Sequence, residues 1–204
     1  MSWCADFKED IGHFQRHGGG NSLKLVLTEQ GLWALLQYRL HRAVYTSSMP
    51  ALARKPLHLV LTIARKFVEI ATGMSLPCTA RLGPGLHLPH CGTRVFNAGA
   101  VVGRGCCIAQ GVTLGVSGRG DRRGNPVIGD RVYIGVNAVV AGKIHVGDDA
   151  LIGANSLVNR DVPPHSTVLG VPAVVISERG SADYLGDAPP RLITPRREAA
   201  TCGT

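Results

Sequence analysis

Histidine is the side chain whose ordinary pKa lets it take and release a proton near neutral pH, so the eight histidines of this 204-residue chain are where proton-transfer chemistry would begin. Two of them lie in Gly85-Leu-His-Leu-Pro-His90. Leu88 belongs to the inward aliphatic frame described below. His90 stands two residues past it, where alternation makes an imidazole an awkward core filler and where the frame slips. His165 follows Pro163-Pro164 in a turn and reads as structural, while His13, His17, His41 and His58 fall in a helical region with no partner visible in the sequence. The six cysteines, at 4, 78, 91, 106, 107 and 202, show no CxxC spacing and read as small buried hydrophobes or surface thiols of a reducing compartment.

The elements that position these groups declare themselves through an internal repeat. Ile128, Ile134, Val140, Val146, Ile152 and Val158 recur every sixth residue, with Gly following at 129, 135, 147 and 153. The same frame runs through Leu76, Leu82 and Leu88, and again through Val102, Ile108 and Leu114. A six-residue period of aliphatic-Gly-x-x-small-x is the hexapeptide signature of a parallel β-helix. The aliphatic points into a triangular prism, Ala138, Ala150 or Ser156 fits a corner, and three hexapeptides close a coil. Seventeen of the 26 glycines lie in residues 76–176, where tight corners favour a residue free in φ, and a narrow prism leaves little room for the ten aromatic residues. The frame slips by two residues between Leu88 and Val102. Between Leu114 and Ile128 it is interrupted by residues 116–126, expected to protrude as a loop, the kind of place where function sits.

Residues 1–75 read as a helical subdomain. Leu57, Val60, Leu61, Ala64, Val68 and Ala71 form an amphipathic stripe with Pro56 at its start and Gly73 as its stop; Trp33, Leu36, Leu40 and Val44 form another. Pro50 to Pro56 is expected to break the helix between them, and Asn21-Ser22 supplies an N-cap. Residues 177–204, with three prolines and mixed charge, read as a flexible tail.

The net charge of +8 is spread rather than clustered: nine basic against five acidic residues over 1–75, nine against five over 76–176, and four against four thereafter. No basic run exceeds two residues, which argues against nucleic-acid binding. A diffuse positive field suits a small polyanion. No stretch approaches a membrane span and the first residues lack a signal-peptide pattern, so a cytoplasmic chain with no membrane partner is expected.

The order of parts resembles the serine O-acetyltransferases of the left-handed β-helix acyltransferase superfamily. Gly31-Leu-Trp-Ala-Leu-Leu-Gln-Tyr-Arg-Leu40 is similar to that family's helix ending in Tyr/His-Arg-Leu, and Gly85-Leu-His-Leu-Pro-His90 to its histidine strand. Ile108-Ala-Gln-Gly-Val-Thr-Leu-Gly115 resembles the coil preceding its loop, and Asp161-Val-Pro-Pro-His165 with Gly170-Val-Pro-Ala173 its closing coil. The likeness covers residues 20–176. It implies an all-α N-terminal subdomain followed by a left-handed parallel β-helix with a protruding loop, assembled as a homotrimer or a hexamer.

The implied activity is an acetyl-CoA-dependent O-acetyltransferase acting on a hydroxyl of a small acceptor, a serine-like amino acid or a sugar or metabolite. An unactivated hydroxyl needs a base near pKa 7 to take its proton as it attacks, and the resemblance places that catalytic role on His90. It places coenzyme A along a groove between neighbouring β-helices, near Gly115, Gly135, Val136 and Ala154, with Gly170, Pro172 and Ala173 at its end; Lys143 and Arg160 are candidates for its phosphates. Ser75 and Asn125 fall at substrate-binding positions.

Four positions depart from the family pattern. Pro89 stands where the family has the Asp before the catalytic His, and Ser75 where it has the Asp that orients that ring. Gly124 and Asn125 replace the Arg-His pair that clamps the substrate carboxylate. His90 would then be oriented by a backbone carbonyl, Ser75 or another group, and Arg119, Arg122 and Arg123 could attract an anionic acceptor. The rival reading of the same losses is a non-catalytic β-helical trimer that scaffolds or regulates a partner. No metal is expected: His87, His90 and His145 do not have the spacing of the three-histidine zinc site of β-helical carbonic anhydrases.

Overall fold

The computed structural model describes residues 2–185. Four helices come first: α1 (Trp3–Gly18), α2 (Ser22–Thr28), α3 (Gln30–Tyr45) and α4 (Ala51–Thr72). Fourteen short strands follow in three sheets. The first sheet holds β1 (Met74–Ser75), β3 (Arg94–Phe96), β6 (Thr113–Gly115), β9 (Val139–Ala141) and β12 (Leu157–Val158). The second holds β2 (Arg81–Leu82), β4 (Val101–Val102), β7 (Val127–Ile128) and β10 (His145–Val146). The third holds β5 (Cys107–Ile108), β8 (Tyr133–Ile134), β11 (Leu151–Ile152), β13 (Thr167–Gly170) and β14 (Ala173–Ser177). All pairings are parallel except β13 with β14, so the chain visits the three sheets in turn and winds a parallel β-helix.

The register measures each coil. Val127 pairs with His145 and Tyr133 with Leu151, eighteen residues on, which is three hexapeptides. Arg81 pairs with Val101, twenty on, and this is the two-residue slip after Leu88. Cys107 pairs with Tyr133, twenty-six on, so the segment between β6 and β7 adds eight residues to its coil. Leu76, Phe96, Leu114, Val140 and Val158 stack up one inner wall, all buried. Leu82, Val102, Ile128, Val146 and Val162 line the second and Leu88, Ile108, Ile134, Ile152 and Val168 the third. One ring is therefore admitted: the slip puts Phe96 in the wall, in the one coil widened by two residues.

The glycines at 129, 135, 147 and 153 are not there for φ. None has positive φ; positive φ at the corners falls on Asn137, Asp149 and Asn155 as well as on other glycines. Space is what these four need, since a Cβ on Gly135 would meet Ala154 N at 2.7 Å and one on Gly147 would meet Pro164 Cα at 2.7 Å. Coils stacked at sheet spacing leave no room for a side chain there.

Four expectations for the helices and tail are corrected. Helix α4 begins at Ala51 and runs through Pro56 rather than starting there. Residues 51–57 are all exposed, so water can serve the carbonyl of Leu52 that a proline nitrogen cannot. The buried face of α3 is Leu32, Leu35, Tyr38 and Arg39, with Trp33 at 39% exposure, because polar groups of this face bond the coil below. Only Leu61, Ala64 and Val68 of the α4 stripe are half-buried; Leu57, Val60 and Ala71 are exposed. Residues 177–185 are held to the β-helix: Ser181 N donates to the Asp149 carbonyl (2.9 Å), its hydroxyl to the Arg131 carbonyl (2.5 Å), and Leu185 is buried. Residues 186–204 of the expected tail, with Cys202, lie outside the described residues. Among the described residues no helix is long and apolar enough to cross a membrane.

Candidate functional site

The helices are fastened to the first coil by the Tyr38-Arg39 pair. Tyr38 Oη donates to the Ala80 carbonyl (2.8 Å) and accepts from Leu82 N (3.0 Å). Arg39 forks onto Asp10 (2.9 and 3.0 Å) and donates to the carbonyls of Leu82 and Gly83, both at 2.6 Å. Asp10 accepts from Leu86 N at 2.9 Å, and both ions are buried. A bidentate, fully hydrogen-bonded pair of this kind fixes α1, α3 and the strand leading to His87 as one unit.

That strand ends in a bend over residues 89–92, which contains the two extra residues of the first coil. His90 adopts φ +64 there and its side chain is exposed. The bend is held from inside by Arg94. This residue occupies the slot two before the inward Phe96, where the later coils place Val112, Ala138 and Ser156, and it is fully buried. Its Nε donates to the carbonyls of Ile108 (3.0 Å) and Ala109 (3.1 Å), its Nη1 to that of His90 (3.2 Å), and its Nη2 to that of Pro89. Burial lowers its pKa to about 10, still protonated at neutral pH.

His87 points the other way. It is buried, its Nδ1 lies 3.5 Å from Cys107 Sγ, and Phe14 meets it edge-on while His17 stacks over it, both at 4.5 Å between centroids. Burial, then the neighbouring His17 and His13, lowers its pKa to about 3, so it is neutral in the working range. His13 bonds the Gly85 carbonyl through Nδ1. His13 and His17, which have no partner visible in the sequence, form with His87 an imidazole cluster joining α1 to the histidine strand. Outside it, a pocket of about 330 Å³ is lined by His90, Pro89, His87, His17, Phe14 and Glu29. Glu29 is its one carboxylate among the described residues. It follows α2 as the residue before α3, and the sequence held no periodic signal for its role.

Most of the remaining candidate residues share His90's corner of the prism, where the third sheet turns into the first. Gly111 N donates to the Thr93 carbonyl (2.7 Å), Asn137 N to that of Gln110 (3.0 Å) and Asn155 N to that of Val136 (2.8 Å), a continuous ladder up this edge. Val136 is a rung of it, and Gly135 and Ala154 adjoin it. Gly170 stands above, tied by its N–H to Ser156 Oγ (3.2 Å), with Pro172 and Ala173 in the turn from β13 to β14. Gly115, Lys143 and Arg160 lie instead at the opposite edge of the first sheet, Gly115 ending β6 and the other two following β9 and β12. There Lys143 and Arg119 line a cleft of about 370 Å³ with Ser117 and Asn159, and Lys143 Nζ donates to the Asp121 carbonyl (3.4 Å). The exposed Arg160 adjoins it.

Two substrate candidates are elsewhere committed. The Ser75 hydroxyl donates to Glu69 Oε1 (2.9 Å), not to the ring of His90. Asn125 packs its amide against Gly99, with Oδ1 buried and unbonded. His145 lies on β10 and forms no metal-ligand cluster with His87 and His90 among the described residues.

A family model described as Bacterial transferase hexapeptide (six repeats) matches residues 125–160. A serine acetyltransferase of Synechococcus elongatus is 36% identical over 160 residues, covering 78% of this chain and 62% of that protein. One of Helicobacter pylori is 35% identical over 158 residues, covering 78% of this chain and 88% of its own. Among solved structures, the serine acetyltransferase of Brucella abortus in complex with coenzyme A superposes with a TM-score of 0.73 at 32% identity, covering 88% of this chain and 69% of that one. This chain thus spans about three fifths of the Synechococcus protein's length. With the docking helix, the histidine bend and the hexapeptide coils following in that order, the chain belongs to the serine acetyltransferase family of hexapeptide-repeat transferases.

Proposed function

We propose that this chain is an acetyl-CoA-dependent O-acetyltransferase in which His90 is the general base. The observation that carries this is an exposed imidazole at the foot of the corner formed by Gly135, Val136 and Ala154, in a chain similar to a coenzyme A-bound enzyme. His90 takes the acceptor's hydroxyl proton as the oxygen attacks the thioester carbonyl; collapse of the tetrahedral adduct breaks the C–S bond, and the departing thiolate takes that proton from the imidazolium. Coenzyme A lies along the ladder, ending at Gly170, Pro172 and Ala173. Gly115, Lys143 and Arg160, at the other edge of the first sheet, reach a coenzyme only across a neighbouring copy.

This assignment goes with a left-handed coil, a division into a helical part (1–75) and a β-helix (76–176), and a homotrimer or hexamer with the site between neighbours. The exposed apolar side chains of α4 suit such assembly. With Gly124 and Asn125 in place of the carboxylate clamp and Ser75 turned to Glu69, the acceptor is a small hydroxyl compound recognised otherwise than serine. Glu29 and His17 are the polar groups of the His90 pocket available to it.

The test is release of free thiol from acetyl-CoA against a panel of serine, homoserine and sugar acceptors. His90→Ala is expected to lose roughly 10²–10⁴-fold in rate; full activity in that variant sinks the mechanism. Calorimetry showing no binding of acetyl-CoA would favour the non-catalytic scaffold.

A further inference from the structure

Between the helical part and the first coil, three side chains of metal-ligating type converge from three separate elements. His41 is on α3, His58 on α4, and Cys78 in the turn between β1 and β2. His41 and Cys78 are buried and His58 is half-buried. One ligating atom of each lies within 4.8 Å of the others, and His41 Nε2 is 2.9 Å from His58 Nδ1. From the sequence, His41 and His58 had no partner and Cys78 was one of six unremarkable thiols.

We propose that His41, His58 and Cys78 bind a zinc ion that clamps α3 and α4 to the first coil. Bonds of about 2.0–2.1 Å to nitrogen and 2.3 Å to sulfur put the ligand atoms of a tetrahedral zinc site about 3.3–3.6 Å apart. The two imidazole nitrogens need to open by a few tenths of an ångström, and Cys78 Sγ to approach by about 1.2 Å at most. Two imidazoles and a thiolate suit zinc's borderline softness better than magnesium or calcium, which take oxygen ligands.

The surroundings are those of a ligand set rather than of three residues in passing. Gln37 Nε2, which donates to the Leu61 carbonyl of α4 (3.1 Å), lies 3.5 Å from His41 Nδ1 and ties α3 to α4 beside the site. Arg42 Nη1 donates to the Cys78 carbonyl (2.8 Å) and fixes the backbone that carries the thiol. Beyond His58 a surface pocket of about 410 Å³, lined also by Tyr45, Arg54 and Lys55, gives an ion its route in and a water its place as fourth ligand. On binding, zinc replaces the thiol proton of Cys78, which leaves to solvent, and breaks the hydrogen bond between the rings, whose proton moves to the other nitrogen of its own ring, so no other reactant is involved.

The site also answers a need of the fold. α4 leaves Leu59, Ile63, Phe67 and Ile70 more than half exposed, so only a narrow face, with Leu61, Ala64 and Val68 half-buried, holds it on α3. A metal clamp strengthens that attachment whether or not the acetyltransfer reading holds.

The test uses the full, tag-free chain stripped of metal by chelation. One equivalent of Co²⁺ is expected to give the visible bands of a tetrahedral site and a thiolate-to-cobalt charge-transfer band, both bleached by Zn²⁺, and Zn²⁺ is expected to raise the melting temperature. Cys78→Ser should lose the charge-transfer band, and His58→Asn should weaken binding at least tenfold. If Cys78→Ser fails to fold, His58→Asn, altered at a half-exposed ring, carries the test. The proposal is overturned if the wild-type chain gives no charge-transfer band, if the band persists in Cys78→Ser, or if binding survives His58→Asn and is lost in His17→Asn, which would move the metal to the imidazoles beside His87.

Discussion

Arg94 Nη1 donates to the carbonyl of His90 across four residues, so the backbone of the exposed imidazole is held by a cation buried inside the prism. No carboxylate pairs with that guanidinium among the described residues; its donors go to main-chain carbonyls, including that of Pro89. In the family pattern an aspartate orients the histidine ring. Here the bend itself is braced, which makes Arg94 a positioning residue for His90.

Replacing Arg94 by Met keeps the volume but releases the bend, and a displacement of about 1 Å at a reacting group can cost roughly 10²-fold. We expect kcat to fall by about that factor with KM for acetyl-CoA little changed, and Arg94→Lys to recover only part of it, since an ammonium cannot fork to the Pro89 and Ile108 carbonyls together. Steady-state kinetics beside thermal melting check this. A melting temperature that falls while kcat holds would make Arg94 a packing residue only.

Gly31 sets two effects against each other. As the second residue of α3 it is helical, where Ala is favoured by about 1 kcal/mol. A Cβ there, however, would meet the Leu88 carbonyl oxygen and come within 2.9 Å of the Phe14 ring. Overpacking of this kind costs about 1–3 kcal/mol, and Leu88 belongs to a coil that cannot retreat. Gly31→Ala should therefore lower stability in urea unfolding; a stabilised variant would mean that α3 does not dock this tightly.

The prism was legible because its signal is additive: an inward aliphatic every six residues names the walls without any tertiary information. The slip after Leu88 was legible too, but not its contents. Phe96 and Arg94 sit where the pattern calls for an aliphatic and a small residue, and only the widened first coil shows why a ring and a guanidinium fit. His90 stands out in the sequence because it breaks alternation next to that slip and matches the family's histidine strand. Glu29, His17 and the His41, His58 and Cys78 group could not, since each depends on how α1, α3 and α4 lie on the first coil. Ser75 was misassigned as a possible partner of His90 because position along the coil does not reveal that Glu69, one turn back on α4, takes its hydroxyl.

The Asp10–Arg39 pair is a second place where position and energy can be separated. Removing one member of a buried, hydrogen-bonded pair typically costs about 3–5 kcal/mol because the other charge is left unpaired. Asp10→Ala should lose that much. The double variant Asp10→Ala/Arg39→Met should lose far less than the two single losses combined, and chemical denaturation of the four proteins measures the difference.

The pH dependence of folding should carry the mark of His87. Its pKa is lowered from the ordinary 6.5 to about 3, by burial first and then by His17 and His13 on α1, Arg94 on β3 and His90 in the bend; Cys107 on β5 completes its surroundings. A base whose folded pKa is depressed binds its proton more readily when unfolded. Its contribution is complete above pH 6.5 and is lost as pH falls toward 3, at about 1.4 kcal/mol per pH unit. Replacing His87 by Gln, which keeps a polar group beside Cys107 but does not titrate, should flatten that limb of the stability curve between pH 6 and 4. If the two curves run parallel there, the acid sensitivity belongs to other groups and His87 is not buried as a neutral ring.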